Sequence, residues 1–331
     1  ETLKEGESDF AKYISVNGKD PENVNAEGQN LCIDGFKHGR RFEVDVRAGL
    51  PARIDDQLHK NSQLTVYVRD RSPTVRFTGR GYVLPSRGQS GIPVVSINAE
   101  QIAFKIYRIG DRGLVGAVTG GTVGNKLRSW DLRELKQRTG QQLFAGNLTV
   151  KKDLNKEITT AIPLSKALPK MRPGVYAISA SAAGAKTDGE DLATQWFVVS
   201  DLGLTSLNGR DGIHVFVRSL ESAGPVAKAS VKLVARNNEV LGTAKTDERG
   251  YARFDGALGK GEGGLAPAVL VAEGPRGDYS YLDVSQAAFD LTDRGVKGRD
   301  APGPIDAYMY TERGVYRPGE EVNVTSLVRD R

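Results

Sequence analysis

The chain has 331 residues, of which 39% are hydrophobic and 26% charged, with 39 glycines and a formal net charge of +5. That is an ordinary soluble composition with extra glycine, long enough for roughly two to four domains. No apolar run approaches the roughly 20 residues of a membrane helix, the basic residues are scattered rather than gathered into a nucleic-acid-binding block, and the single cysteine, Cys32, rules out an internal disulfide.

In chain order, the polar opening carries one short strand candidate, Tyr13–Val16, followed by the turn pair Asn17-Gly18. Leu31–Ile33 and Arg41–Arg47 come next. In the second of these, Phe42, Val44 and Val46 alternate with Glu43, Asp45 and Arg47, the period of a strand with one buried face. Leu64–Asp70, Val75–Phe77 and Gly81–Leu84 follow. The Pro/Gly/Ser-rich stretch Pro85–Pro93 predicts the first domain boundary.

A second module then runs over 94–200. Ile102–Ile109 is its clearest strand, and Gly110–Gly113 reads as a turn. Ser129–Thr139 is the one predicted helix. Ser129 is placed as its N-cap, Asp131 near the positive end, Lys136 and Arg138 near the negative end, and Gly140 as the stop. Strands return at Gln142–Phe144, Leu148–Val150 and Ile158–Ile162, and Pro173-Gly174 turns into Val175–Ile178. Gln195–Ser200 is apolar on both faces, as in a central strand or one carried to the module edge.

A third module is expected over 201–303. Gly212–Arg218 alternates Ile213, Val215 and Val217 against His214, Phe216 and Arg218. Ala229–Arg236 sets Val231, Leu233 and Ala235 against Lys232 and Val234. Asn237-Asn238 and Thr246–Gly250 read as hairpin turns, with Gly250 suited to a left-handed position. Ala268–Ala272 and Tyr279–Leu282 complete the set. Lys297–Pro304 is the last predicted linker. Residues 304–331 are expected to begin a fourth module that continues past Arg331, with Gly314–Tyr316, a turn at Pro318-Gly319 and Val322–Val328 as strand, turn, strand. Modules of roughly one hundred residues with turn signals every 8–12 predict an all-β chain of antiparallel sandwiches in series, with one short helix.

The remaining motifs carry little chemistry. Gly259–Gly264 fits G-x-G-x-x-G, but Leu265–Pro267 follows where a dinucleotide site needs a helix, so it reads as a loop. Arg276–Asp278 spells an adhesion tripeptide in a glycine-rich turn. Asn147 and Asn323 open glycosylation sequons inside predicted strands. His214 reads as a solvent-facing or edge histidine, and Cys32, between Leu31 and Ile33, as a small buried hydrophobe. His38, His59 and His214 lack metal-ligand spacing. The acidic groups Asp55-Asp56 and Asp188, Glu190 and Asp191 lack the calcium-loop pattern and read as solvated loops. No catalytic, cofactor-binding or metal-ligating residue is assigned, no cofactor is expected, and the chain reads as a non-enzyme without a nucleic-acid partner.

Thr311–Val322, reading Thr-Glu-Arg-Gly-Val-Tyr-Arg-Pro-Gly-Glu-Glu-Val, resembles the macroglobulin-domain signature of α2-macroglobulins and complement-like proteins. Leu31–Gly39 with Arg47–Ala52, the Trp130–Leu132 helix with Leu143–Leu148, and Trp196–Leu204 with Thr246–Gly250 are similar to successive modules of the bacterial branch. The resemblance covers almost the whole chain, and its motifs come in the family's order. It implies macroglobulin-like sandwiches and a periplasmic protease trap, in which cleavage of a bait region triggers rearrangement. Many members then capture the protease through a Cys–Gln thioester, a stored electrophile shielded from water until cleavage exposes it.

The bacterial thioester motif Cys-Leu-Glu-Gln is absent, and Cys32 is followed by Ile33-Asp34-Gly35. The expectation is a scaffold segment without bait or thioester. Proteases would be partners through other parts of the protein, with other envelope proteins as further partners, and a lipid anchor to the inner membrane would lie outside this sequence. The rival expectation is an adhesive or ligand-binding array of Ig-like modules on the cell surface.

Overall fold

Most of the alternating segments become strands because they have one face to bury, whereas Ser62–Val68 pairs as a strand although nearly all of it is exposed. In the computed structural model, which describes residues 10–285 and 305–330 apart from 28–29, 53–55, 80, 86–90, 186–191, 210, 312, 314 and 318, those faces gather into several mainly antiparallel sheets. The expected linker at Lys297–Pro304 and the acidic group Asp188, Glu190 and Asp191 lie outside the described residues.

The first domain opens with a 3-10 turn at Phe10–Tyr13. It contains β1 (Ile14–Val16), β2 (Val24–Glu27), β3 (Asn30–Ile33), β4 (Arg40–Val46) and β5 (Ser62–Val68). β1, β4 and β5 form one sheet, and β2 and β3 form a hairpin. Phe10, Ile14, Val24 and Val44 are its buried core. Asn17 and Gly18 both take positive φ (50° and 74°), as the turn pair predicts.

The second domain is larger and begins earlier than expected. Its elements are β6 (Thr74–Phe77), β7 (Gly81–Leu84), β8 (Ile92–Ile97), β9 (Gln101–Ile109), α1 (Asp111–Thr119), α2 (Ser129–Glu134, continued by a π turn at Leu135–Thr139), β10 (Gly140–Thr149), β11 (Glu157–Ile162), the single turn α3 (Leu164–Ala167), β12 (Gly174–Ala182) and β13 (Ala193–Val199). A five-stranded sheet, β10-β9-β12-β13-β7, faces a three-stranded sheet, β11-β8-β6. The boundary expected after residue 93 therefore falls inside this domain. The strands on either side of the Pro/Gly-rich stretch, β7 and β8, belong to the two different sheets of this domain. β7 closes the larger sheet as the parallel partner of β13, from Trp196↔Gly81 to Val199↔Leu84. β8 opens the smaller sheet, and Val75, Leu84 and Ile92 share one core with Phe104, Tyr176 and Phe197.

Among the described residues three helices stand where one is expected. Gly110–Gly113 is not a free turn but the start of α1, with Asp111 at its positive end. Two interior glycines lower its intrinsic propensity, and burial of Leu114, Val115 and Val118 overrides that. In α2 the N-cap is Arg128 rather than Ser129, and the Asp131 carboxylate accepts the Arg128 N–H at 2.8 Å. Gly140 stops the helix by starting β10 in extended conformation, not as a left-handed cap.

The third domain holds β14 (Leu202–Gly209), β15 (Gly212–Ser219), β16 (Ser230–Ala235), β17 (Val240–Lys245), β18 (Tyr251–Asp255), β19 (Pro267–Glu273) and β20 (Tyr279–Asp283). The sheets β14-β15-β18 and β17-β16-β19-β20 enclose Val215, Val217, Val231, Leu233, Phe254 and Leu270. Gly250 takes φ +71°, and a Cβ there would lie 2.4 Å from the Val217 carbonyl oxygen, so both conformation and space require glycine.

Beyond it, β21 (Ile305–Thr311) and β22 (Val324–Asp330) pair as an antiparallel hairpin. The expected turn is present: Gly319 takes φ +89°, and the Glu320 N–H donates to the Arg317 carbonyl at 3.1 Å. The strands lie further out than expected, however. Val315 and Tyr316 belong to the connection, where Tyr316 packs under Arg313 at 5.0 Å and Arg313 pairs with Glu320 at 3.5 Å.

Candidate functional site at the joints between domains

The chemistry-bearing residues do not converge. His38 contacts the Arg69 carbonyl (2.9 Å), and His59 pairs with Asp56 (3.5 Å). Asp55 lies outside the described residues. His214 is better tied than an edge histidine: its ring nitrogens reach the Tyr251 hydroxyl (2.9 Å) and the Asp211 carboxylate (3.0 Å). Cys32 is half-buried rather than buried, because Leu31 and Ile33 take the core-facing side of β3 and period 2 turns Cys32 away. Among the described residues no three His, Cys, Asp or Glu side chains form a metal-binding group. Gly259–Gly264 spans two 3-10 turns, and no helix follows it. Arg276 of the adhesion-like tripeptide lies 3.8 Å from Asp201.

What the fold does build is a seam. One face of β9, β12 and β13 looks into the second domain's own core. The other face carries Tyr107, Ile109, Val175, Ala177 and Trp196, and on it pack α1 and the Leu132/Leu135 face of α2. Val234, Ala268, Val269, Val271 and Tyr279 of the third domain join the same buried cluster, with α1 lying against β19. The seam is therefore a continuous apolar core across two domains. This explains why Gln195–Ser200 and Ala268–Ala272 are apolar on both faces: each strand has one face in its own sandwich and one in the seam. Val234, expected on the polar face with Lys232, is buried for the same reason. The indole N–H of Trp196 donates to the Asn125 carbonyl at 3.1 Å, so the large ring is buried with its one polar group satisfied.

Tyr279 closes the seam's edge. Burial pushes its phenol well above the usual tyrosine range, and the neighbouring Asp111 carboxylate pushes the same way. Burial also raises Tyr107, Tyr176 and Tyr281. Below pH 10 folded and unfolded chains alike keep these phenols protonated, and the full contribution to stability is present. Above it the unfolded chain ionises first, so stability falls by up to about 1.4 kcal/mol per pH unit for each tyrosine until the folded phenol itself ionises. The urea midpoint should drop steeply as the pH rises above about 10, and Tyr279→Phe should flatten the drop. An unchanged slope in that variant would exclude Tyr279 as a contributor.

The backbone crossing between these domains is clamped. Asp201, only 6% exposed, accepts from the Ser219 hydroxyl and the Glu221 N–H, both at 2.8 Å, and the Ser200 hydroxyl accepts the Leu202 N–H at 2.8 Å. The joint between the first and second domains is polar instead. Asn155 accepts the Arg71 N–H (2.8 Å) and donates to Asp70 (2.7 Å), while Asn98 donates to the Arg71 carbonyl (2.6 Å). Sequence reading passed over Asn98 and Asn155. Their positive φ (50° and 64°) marks them only in the structure.

These joints can hold domains in register. Residues 76–196 match the family model described as "Bacterial alpha-2 macroglobulin MG2 domain", and residues 199–301 match "Bacterial alpha-2-macroglobulin MG3 domain". An alpha-2-macroglobulin of Xylella fastidiosa is 28% identical over 305 residues, covering 90% of this chain and 18% of that protein. Salmonella alpha-2-macroglobulin reacted with methylamine superposes with a TM-score of 0.66 at 22% identity, over 99% of this chain and 20% of that one. Trypsin-activated alpha-2-macroglobulin from Escherichia coli gives 0.57 at 24% identity, over 78% of this chain and 17% of that one. The chain thus spans about a fifth of the length of these relatives. The first matched segment starts within β6, as the strand pairing places the second domain, and the two together make up more than half of the sequence. Carrying adjacent MG2 and MG3 domains, the chain belongs to the bacterial alpha-2-macroglobulin family.

Proposed function

We propose that this chain is a scaffold segment of a periplasmic protease-trapping inhibitor, without bait region or thioester of its own. The observation that carries this reading is the apolar seam. A trap that rearranges after cleavage needs parts that move as bodies, and a shared core makes the second and third domains one body. The polar joint at Asp70 and Arg71 exposes less apolar surface when it opens, so it is the better place for motion. Proteases meet the full-length protein through other regions, and the hairpin β21–β22, exposed on both faces, opens the next macroglobulin module. A lipid anchor at the inner membrane belongs to the same reading.

The test is direct. Incubated with trypsin, the 331-residue chain should leave cleavage of a large protein substrate unchanged and form no adduct stable to denaturing electrophoresis. Protection of the substrate, or a covalent band, would overturn the assignment.

A further inference from the structure

Beside the seam, the outward face of the five-stranded sheet leaves a trough of about 380 Å³ between β9, β10, β12 and α2. Three cations line it: Lys105 from β9, and Arg133 and Lys136 from α2 and its π turn. Ser181, Asn147 and Gln142 add hydroxyl and amide groups, and no carboxylate is among the described lining residues.

The helix end accounts for a cation at Lys136, where the backbone dipole is negative. It does not account for Lys105, which stands on a strand and faces the same space. Arg133 and Lys136 are three residues apart along one helical segment, a spacing at which like charges repel. None of the three is ion-paired with a described carboxylate. All three are exposed, and together they raise the local positive potential that draws an anion to the trough.

The count of groups indicates which anion. A carboxylate brings one charge and two oxygens, and one arginine satisfies it. A phosphate monoester brings nearly two charges and three strong acceptor oxygens. A planar guanidinium and two point-charge ammonium groups suit it. The trough is also in the size range of small-ligand sites, roughly 300–1,000 Å³, and larger than an inorganic anion requires. Ser181, Asn147 and Gln142 are then placed for the hydroxyls of whatever carries the phosphate.

We infer that this trough binds a phosphate monoester attached to a polar, hydroxyl-bearing group, either as a soluble sugar phosphate or as a lipid headgroup. The inference is independent of the scaffold reading above.

The experiment titrates the 331-residue chain at low salt with glucose 6-phosphate, with inorganic phosphate, and with phosphatidylcholine vesicles containing phosphatidic acid. Glucose 6-phosphate should bind with 1:1 stoichiometry and be displaced by inorganic phosphate. The combined variant Lys105→Gln, Arg133→Gln, Lys136→Gln should weaken binding at least tenfold. The matched variant Lys151→Gln, Lys166→Gln, Lys170→Gln, which removes the same charge elsewhere on the domain, should leave it unchanged. Binding of vesicles but not of glucose 6-phosphate, with the same loss in the first variant only, would support the site and assign it to a headgroup. A readout that needs no variant is the amide spectrum: Ser181 and Asn147 should shift on titration, and Lys151 and Lys166 should not. Absence of saturable binding from either source, equal weakening in both variants, or shifts spread over the whole surface would overturn the inference.

Discussion

Val269→Asp should split the thermal unfolding of the second and third domains into two transitions and lower the stability of the coupled unit by about 3–5 kcal/mol, the cost of a buried charge without a partner. Val269 is fully buried, yet it takes no part in the third domain's own core, which is built from Val231, Leu233, Leu270 and their neighbours on the other face. The substitution therefore strikes the seam and spares both sandwiches. Val269→Ala, which removes apolar surface without adding charge, should lower stability by about 1–2 kcal/mol and keep a single transition. Scanning calorimetry reads both outcomes. One undivided transition in Val269→Asp, at the wild-type temperature, would show that the two domains are not held by this core.

The second large effect is expected at the backbone clamp. Asp201→Ala leaves the Ser219 hydroxyl and the Glu221 N–H without their acceptor in a site that water barely reaches. Each orphaned donor costs about 1–3 kcal/mol, so a loss of about 3 kcal/mol is expected in urea unfolding. Trp196, buried in the seam, reports the transition by fluorescence. Asp201→Asn keeps one acceptor oxygen and should lose about half as much. If both variants unfold at the wild-type midpoint, the clamp contributes nothing.

The two predictions separate the sources of rigidity between domains. The seam acts through burial, which is non-directional and proportional to area. The clamp acts through a few directed bonds that fix the chain path from Val199 to Leu202. Among the described residues the polar joint before β6 carries no such apolar core, an asymmetry that fits the proposed motion at that joint.

Strand content was legible because alternation is local. Phe42, Val44 and Val46 declare a buried face without reference to any other part of the chain, and Asn17-Gly18, Asn237-Asn238 and Gly250 declare turns because few residues tolerate positive φ. Helix α1 was not legible. Its glycines argue against a helix, and only the surface of β19 and β9 makes burying Leu114, Val115 and Val118 worthwhile. The domain boundary misled for a related reason. Proline and glycine mark where the chain turns; whether it turns between domains or between two sheets of one domain depends on which strand it meets next, and β7 meets β13, more than one hundred residues away.

The sequence by itself determined the all-β class, most strands and their buried faces, the tight turns, and the resemblance to macroglobulin modules, because each rests on local pattern or on motif. The tertiary structure alone decided where the second domain begins, why two strands are apolar on both sides, and which joint carries an apolar core. Those depend on pairing between distant segments and on surfaces that become apolar neighbours only after each sandwich has formed. The trough lined by Lys105, Arg133 and Lys136 is of the same kind: in the sequence Lys136 stands out only as a helix-end cation and the other two not at all, and a strand and a helix that pack side by side gather them into one place.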